Sequence, residues 1–433
     1  MQLYSTNNKN LKVSLKEAVM QSLAPDKGLY MPEAFPALDK KMIQGIESLS
    51  FQEIAYEVAH TIISDDIPSG DLKDIVYGAI NFPAPVHLLS ENIGSLELWH
   101  GPSLAFKDFG ARFMAALMSY FIRNENKKLT ILVATSGDTG GAVAAGFYDT
   151  PGIEVIILYP SGKVSDLQEK QLTTLGKNIK AIEINGTFDD CQALVKQAFL
   201  DDELNRKFNL SSANSINIAR LIPQSFYYFE GYKQVVKYGK DIVFSVPSGN
   251  FGNLTAGLIA KKMGLPVKRF IAATNINKIV PDYLENGIYQ PKPSQATISN
   301  AMDVGNPSNF VRILDLYHQD YKALSKDISG FWADDAETIE AMKDAYIRYG
   351  YICDPHGAIG YKSMQMLTDN EFGIFLETAH PAKFLDTVNE TLGMETDIPE
   401  ALEILKHKQK RATFLENDYD GFKELLLNDL RYL

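Results

Sequence analysis

Two cysteines in 433 residues, Cys191 and Cys353, are too few for a disulfide framework, which fits a reducing cytoplasm. The formal charge of −12 leaves no basic surface for a nucleic-acid partner or an acidic membrane. It does not exclude small anionic substrates, which need only a local cluster of donors. No apolar run approaches the ~18 residues a membrane span requires. The opening "MQLYSTNNKNLKVSLKEAV" intersperses Lys9, Lys12, Lys16 and Glu17, so it does not read as a secretory signal. The seven histidines show no metal-ligand spacing, and H-E-x-x-H, paired-cysteine and G-x-S-x-G patterns are missing. No metal is expected, and hydrolysis by a metal or an activated serine is unsupported. Internal repeats and low-complexity linkers are also lacking.

What is present is an alternation of short apolar runs and helical patterns. "TILVAT" (130–135), "EVIILYP" (154–160), "IKAIEI" (179–184), "DIVFSV" (241–246), "KRFIAAT" (268–274) and "FGIFLET" (372–378) read as buried strands. Helical stretches such as "FDDCQALVKQAFLDDEL" (188–204) lie between them, which predicts an α/β protein with parallel sheets. A chain of this length implies two or three domains. The first ~90 residues read as mostly helical, and "TFLENDYDGFKELLLNDLRYL" suggests a terminal amphipathic helix.

In open α/β sheets ligands bind beyond the carboxyl ends of strands. The turn Ser248, Gly249, Asn250, Phe251, Gly252, Asn253 follows one such strand and opens a helix. Its glycines let N–H groups approach an anion at a positive dipole end, so a phosphate fits there, as does a simple strand–helix turn. It is neither a dinucleotide fingerprint nor a Walker A loop. "ATSGDTGGA" repeats the arrangement with Thr135, Ser136, Asp138 and Thr139, which suit an anion or merely cap a helix. "NSINIAR" sets Asn214, Ser215 and Arg220 within one short stretch, a possible oxyanion site. Thr378 ends the last strand.

Lys107 stands in "HGPSLAFKDFGARFMAAL", at the start of a helix whose Phe106, Phe109, Phe113, Leu117 and Phe121 share one face. A free lysine titrates near ~10.4. Burial and the positive end of a helix dipole lower that value and prepare the amine to form a Schiff base. Together with a phosphate-binding turn, such a lysine suggests the aldehyde of pyridoxal phosphate (PLP).

"HGPSLAFKDFGARF", "TSGDTGGA", "SSANSINIAR", "VPSGNFGNLTAGL" and "ETAHPAKF", in that order, resemble the threonine synthases, in the longer form found in bacteria and fungi. The early "DKGLYMPE" is similar to that family's opening segment. The resemblance implies a fold-type II PLP enzyme, similar to the tryptophan synthase β-subunit. It would have two parallel-sheet domains behind a mostly helical leading segment. The expected division is 1–92, a smaller mobile domain at 93–235 and a larger PLP-binding domain at 236–433.

The implied reaction turns O-phospho-L-homoserine and water into L-threonine and phosphate. Lys107 would hold PLP, the turn Ser248–Asn253 would cradle its phosphate, and Thr378 would face its pyridine nitrogen. Asp138 would lie beside the PLP 3′-oxygen, where many fold-type II enzymes carry asparagine, and would share a proton there. Thr135, Ser136 and Thr139 would receive the substrate carboxylate, and Asn214, Ser215 and Arg220 its phosphate. The rival readings are a PLP-dependent phospho-lyase or a Ser/Thr dehydratase giving 2-oxobutyrate. A monomer or a homodimer fits equally well.

Overall fold

The computed structural model describes all residues except 64, 126, 136 and 429–433, together with the side chain at 138. Fourteen strands in three sheets organise the described residues. β1 (Gln2–Ser5), β2 (Lys12–Ser14) and β3 (Tyr30–Pro32) form a small antiparallel sheet in a leading segment that is otherwise mostly helical. Its helix Phe51–Ile63 buries Ile54, Ala55, Val58, Ala59, Ile62 and Ile63, a spacing that lines one helical face.

β4 (Val86–Ser90) and β5 (Ile93–Glu97) enter a six-stranded sheet ordered β12-β11-β10-β13-β5-β4. β6 (Leu129–Ala134), β7 (Ile153–Pro160), β8 (Ile179–Asn185) and β9 (Asn209–Ser211) build a five-stranded sheet ordered β14-β8-β7-β6-β9. β10 (Asp241–Pro247), β11 (Val267–Thr274), β12 (Ile328–Trp332) and β13 (Glu371–Glu377) complete the larger sheet. β14 (Thr413–Glu416) completes the smaller one. All pairs in these two sheets are parallel except β4 with β5. Every residue of β6 and β13 is buried, as expected of parallel strands covered on both faces.

The sheets do not follow the chain segments read from the sequence. β4 and β5, on either side of residue 92, both belong to the larger sheet, because β5 pairs with β13 from Gly373↔Ile93 to Glu377↔Glu97. β14, near the chain's end, joins the smaller sheet beside β8. The helix that follows it, Tyr419–Asn428, buries Phe422 and Leu426 in the cluster that holds Ile182, Ile184 and Cys191. The single terminal helix expected over 413–433 is therefore a strand and a shorter helix, with 429–433 outside the described residues. Likewise the run 188–204 is two helices, Phe188–Leu200 and Asp202–Lys207. Asp201 between them accepts from the N–H groups of Glu203 and Leu204 and so starts the second.

Candidate active site

Lys107 is the first residue of the helix Lys107–Ile122 and is half-buried. Phe109, Phe113 and Leu117 are fully buried, which anchors the helix and so fixes the lysine's Cα. The loop before it runs antiparallel to the segment after β13. Leu98 N–H donates to the Glu377 carbonyl (3.0 Å), Phe106 N–H to the Thr378 carbonyl (2.8 Å), and His380 N–H to the Leu104 carbonyl (3.0 Å). A bridge between Ala105 and Ala379 lies among them. Thr378 and Lys107, 271 positions apart in sequence, thus stand beside one another by backbone pairing.

The turn after β10 is held by its own side chains. Ser248 Oγ donates to Asn253 Oδ1 (2.8 Å), and Asn253 Nδ2 donates to the Pro247 carbonyl (2.7 Å). Phe251 is left-handed, with φ of 59°, and the helix Gly252–Lys262 starts next to it. Ser248 and Asn253 therefore shape the turn. Among the described residues, no acceptor meets the N–H groups of Asn250, Phe251, Gly252 or Asn253. This is the donor set a phosphate needs. Gly249 has no room for a side chain, since a Cβ would lie 2.4 Å from the Ala301 carbonyl oxygen and 2.9 Å from Met302 Cα. Beside Gly252 space is open, the nearest atom to an added Cβ being Asn309 Nδ2 at 3.5 Å. That amide nitrogen is buried without an acceptor among the described residues. The cradle and this spare donor fit a phosphate ester such as that of PLP.

Asn250 Nδ2 donates to Ser215 Oγ (2.8 Å), which joins this turn to the 214–220 stretch. Asn214 and Ser215 are half-buried. Arg220 is fully buried in the helix Ile218–Leu221, where one Nη donates to the Ala213 carbonyl (2.7 Å) and Nε has no acceptor. Burial lowers its pKa to about 10, and Asp108 opposes that shift. Gly110, three residues after Lys107, lets the helix approach it: a Cβ there would sit 2.8 Å from Arg220 Nε.

The third loop is used differently from a ligand-facing hydroxyl at Thr135. Its Oγ1 accepts from the N–H groups of Gly137 (3.0 Å) and Gly140 (2.8 Å), so it caps the helix Asp138–Phe147. Thr139 is half-buried in the first turn of that helix. Ser136 lies outside the described residues, as does the side chain of Asp138.

Sequence reading missed three groups. Asn309 is remote in sequence from the turn it faces. Lys383 Nζ donates to the Ser103 carbonyl (3.0 Å) and Gln171 Oε1 (3.2 Å), tying the segment after β13 to the loop before Lys107. Asp108 is fully buried and accepts from Ser103 N–H (2.8 Å). Desolvation pushes its pKa from 3.8 up to about 6, against hydrogen bonds from Ser103 and the charges of Lys383 and Arg112. A carboxyl raised in the folded state contributes stability that is full below pH 3.8 and lost as pH rises through about 6. Asp108→Asn removes that loss while keeping an acceptor for Ser103. The variant's unfolding free energy relative to the parent should therefore rise between pH 4 and pH 7, as urea denaturation at the two pH values would read.

Residues 88–373 match the family model described as "Pyridoxal-phosphate dependent enzyme". Residues 2–80 match "Threonine synthase N terminus", and 357–426 match "Threonine synthase, C-terminal". The threonine synthase of Haemophilus influenzae is 48% identical over 431 residues, covering 99% of this chain and 100% of that one. This chain belongs to the threonine synthase family. It shares the fold of the Escherichia coli threonine synthase crystal structure, with a TM-score of 0.91 at 45% identity over 99% of this chain and 100% of that one. The PLP-bound threonine synthase of Brucella melitensis superposes with a TM-score of 0.93 at 34% identity, covering 98% of both chains. The chain is thus a fold-type II, PLP-dependent enzyme. Among the described residues no helix is long and apolar enough to cross a membrane, and no cluster could hold a metal.

Proposed function

We propose that this protein converts O-phospho-L-homoserine and water to L-threonine and phosphate. The observation that carries the reading is the convergence of three loops. Backbone pairing sets Thr378 beside Lys107, and the Asn250–Ser215 hydrogen bond joins the glycine turn to the stretch that bears Arg220. A cofactor cradle therefore abuts a second, buried cationic site, as a phosphorylated amino-acid substrate requires.

The N–H groups of Asn250 to Asn253 would hold the PLP phosphate, and the Thr378 hydroxyl would face the pyridine nitrogen. When bound, PLP supplies an electron sink for carbanionic charge on the substrate. The Lys107 amine holds the cofactor and then moves protons at the substrate Cα, Cβ and Cγ. Arg220, with Asn214 and Ser215, binds the substrate phosphate and stabilises its charge as it leaves. Ser136 and Thr139 would receive the carboxylate, with Thr135 holding the helix start beside them, and Asp138 would adjoin the cofactor oxygen. Water must add at Cβ only after phosphate departs. Closure of the part built on the smaller sheet over the larger would control that entry.

The test is to supply O-phospho-L-homoserine and quantify products. Threonine and phosphate in equal amounts support the proposal, whereas phosphate with 2-oxobutyrate points to the phospho-lyase and sinks it. Arg220→Lys replaces a fork of donors with a point charge at a buried site. It should lower kcat/KM by about tenfold or more while PLP retention stays unchanged. Unchanged kinetics would remove Arg220 from the substrate site.

A further inference from the structure

Behind Thr378 lies a set of acids for which the proposed reaction gives no role. Glu377 ends β13 and is fully buried. Neither of its carboxyl oxygens, nor Asp354 Oδ2, receives a donor among the described residues if both acids are ionised. The two carboxyls are nevertheless close enough to interact, the Asp354 charge and side chain raising the Glu377 pKa. The helix Pro355–Lys362 packs on the carboxyl. A Cβ on Gly357 would sit 2.1 Å from Glu377 Cδ. Two buried acids that adjoin each other, with no donor among the described residues, are stabilised by a proton between them.

The chain of contacts continues to the cofactor cradle. Asp354 Oδ1 lies 2.6 Å from His356 Nδ1, and His356 Nε2 accepts from Ala301 N–H at 3.1 Å. Nε2 accepts from Ala301, so Nδ1 is the ring nitrogen that donates to Asp354. The Ala301 carbonyl is in turn what leaves Gly249 no room for a side chain. One end of the network is thus the peptide that enters Thr378, and the other is the wall of the glycine turn.

We propose that Glu377 is a positioning residue. It is held as a neutral acid that donates to Asp354, so that the Glu377–Asp354–His356–Ala301 chain sets the distance between Thr378 and the phosphate cradle. The proposal rests on the reading of those two features as the cofactor's two ends. The proton remains on Glu377, while Asp354 keeps the charge because the His356 ring and its own N–H donate to it. Burial and the neighbouring Asp354 charge raise the Glu377 pKa, and Asp354 is held below its ordinary value. Other titratable groups near Glu377 among the described residues include Cys353 and Tyr351, whose hydroxyl bonds Ser95 (2.9 Å) and Glu97 (3.2 Å). Neither is a cation, and desolvation and the Asp354 charge outweigh the lowering effect of the Cys353 thiol.

Two measurements test this without reference to threonine formation. Infrared spectra of the apoprotein at neutral pH should contain a carboxylic-acid C=O stretch that Glu377→Gln removes. PLP titration followed by visible absorption should give Glu377→Gln, whose amide still donates to Asp354, the parent's dissociation constant. Glu377→Leu leaves Asp354 without that donor and should bind PLP about tenfold more weakly. The proposal is overturned if the acid band is missing, if the glutamine variant binds as weakly as the leucine variant, or if leucine binds as tightly as glutamate. Failure of the substrate assay with these results intact would sink the assigned reaction and leave the relay standing.

Discussion

Lys107→Ala abolishes the visible absorption of the PLP-loaded protein and lowers threonine formation by at least about a thousandfold, the scale of removing a positioned acid–base group. The structure makes this a test of chemistry and not of folding. The helix that Lys107 starts is anchored by Phe109, Phe113 and Leu117, all downstream and fully buried. Alanine at its first position satisfies helix propensity at least as well as lysine. The parent's melting temperature in the apo form should therefore persist. A variant that still turned over near the parental rate would mean that another amine serves, and Lys383, in the same junction, would be the next to replace.

Gly249→Ala weakens PLP binding by roughly 10- to 100-fold, from overpacking of about 1–3 kcal/mol. The added methyl would meet Ala301 O at 2.4 Å and Met302 Cα at 2.9 Å, both backbone atoms, so no side-chain rotation relieves it. Either the turn moves off the loop or the loop moves off the turn, and both displace the N–H groups aimed at the phosphate. Spectrophotometric titration of the parent and variant apoproteins with PLP would read the loss, and equal affinities would show that the turn does not carry the phosphate.

The six buried strands were readable because each is a run of Val, Ile, Leu and Phe that must be covered on both faces, and each begins or ends within a residue of its predicted limits. The short edge strands were not. Thr413–Glu416 exposes Phe414 and buries little, so only its partner β8 makes it a strand. At the site, Lys107 and the Ser248–Asn253 turn were legible because a helix start and a glycine-rich turn leave local marks. The role of Thr135 was not, since whether a hydroxyl caps a helix or faces a ligand depends on fractions of an ångström. Glu377 read as one more strand residue. Its meaning comes from Asp354, Gly357 and His356, which the chain brings to it from another element.

The pairing of β14 with β8 has a consequence for the order of assembly. Asn185 Nδ2 donates to Glu416 Oε2 across 231 positions of chain, so the smaller sheet gains its last edge only once residue 416 has been made. Contacts of such separation form late, because loop closure must precede them. Until then β8 presents an unpaired edge, and Ile182, Ile184 and Cys191 lack the cover of Phe422 and Leu426. During synthesis on the ribosome, the half carrying Lys170, Gln171 and the helix-capping Thr135 must wait for residues 413–426. The cradle after β10, whose sheet needs β13 at Glu371–Glu377, is therefore completed before its opposing face.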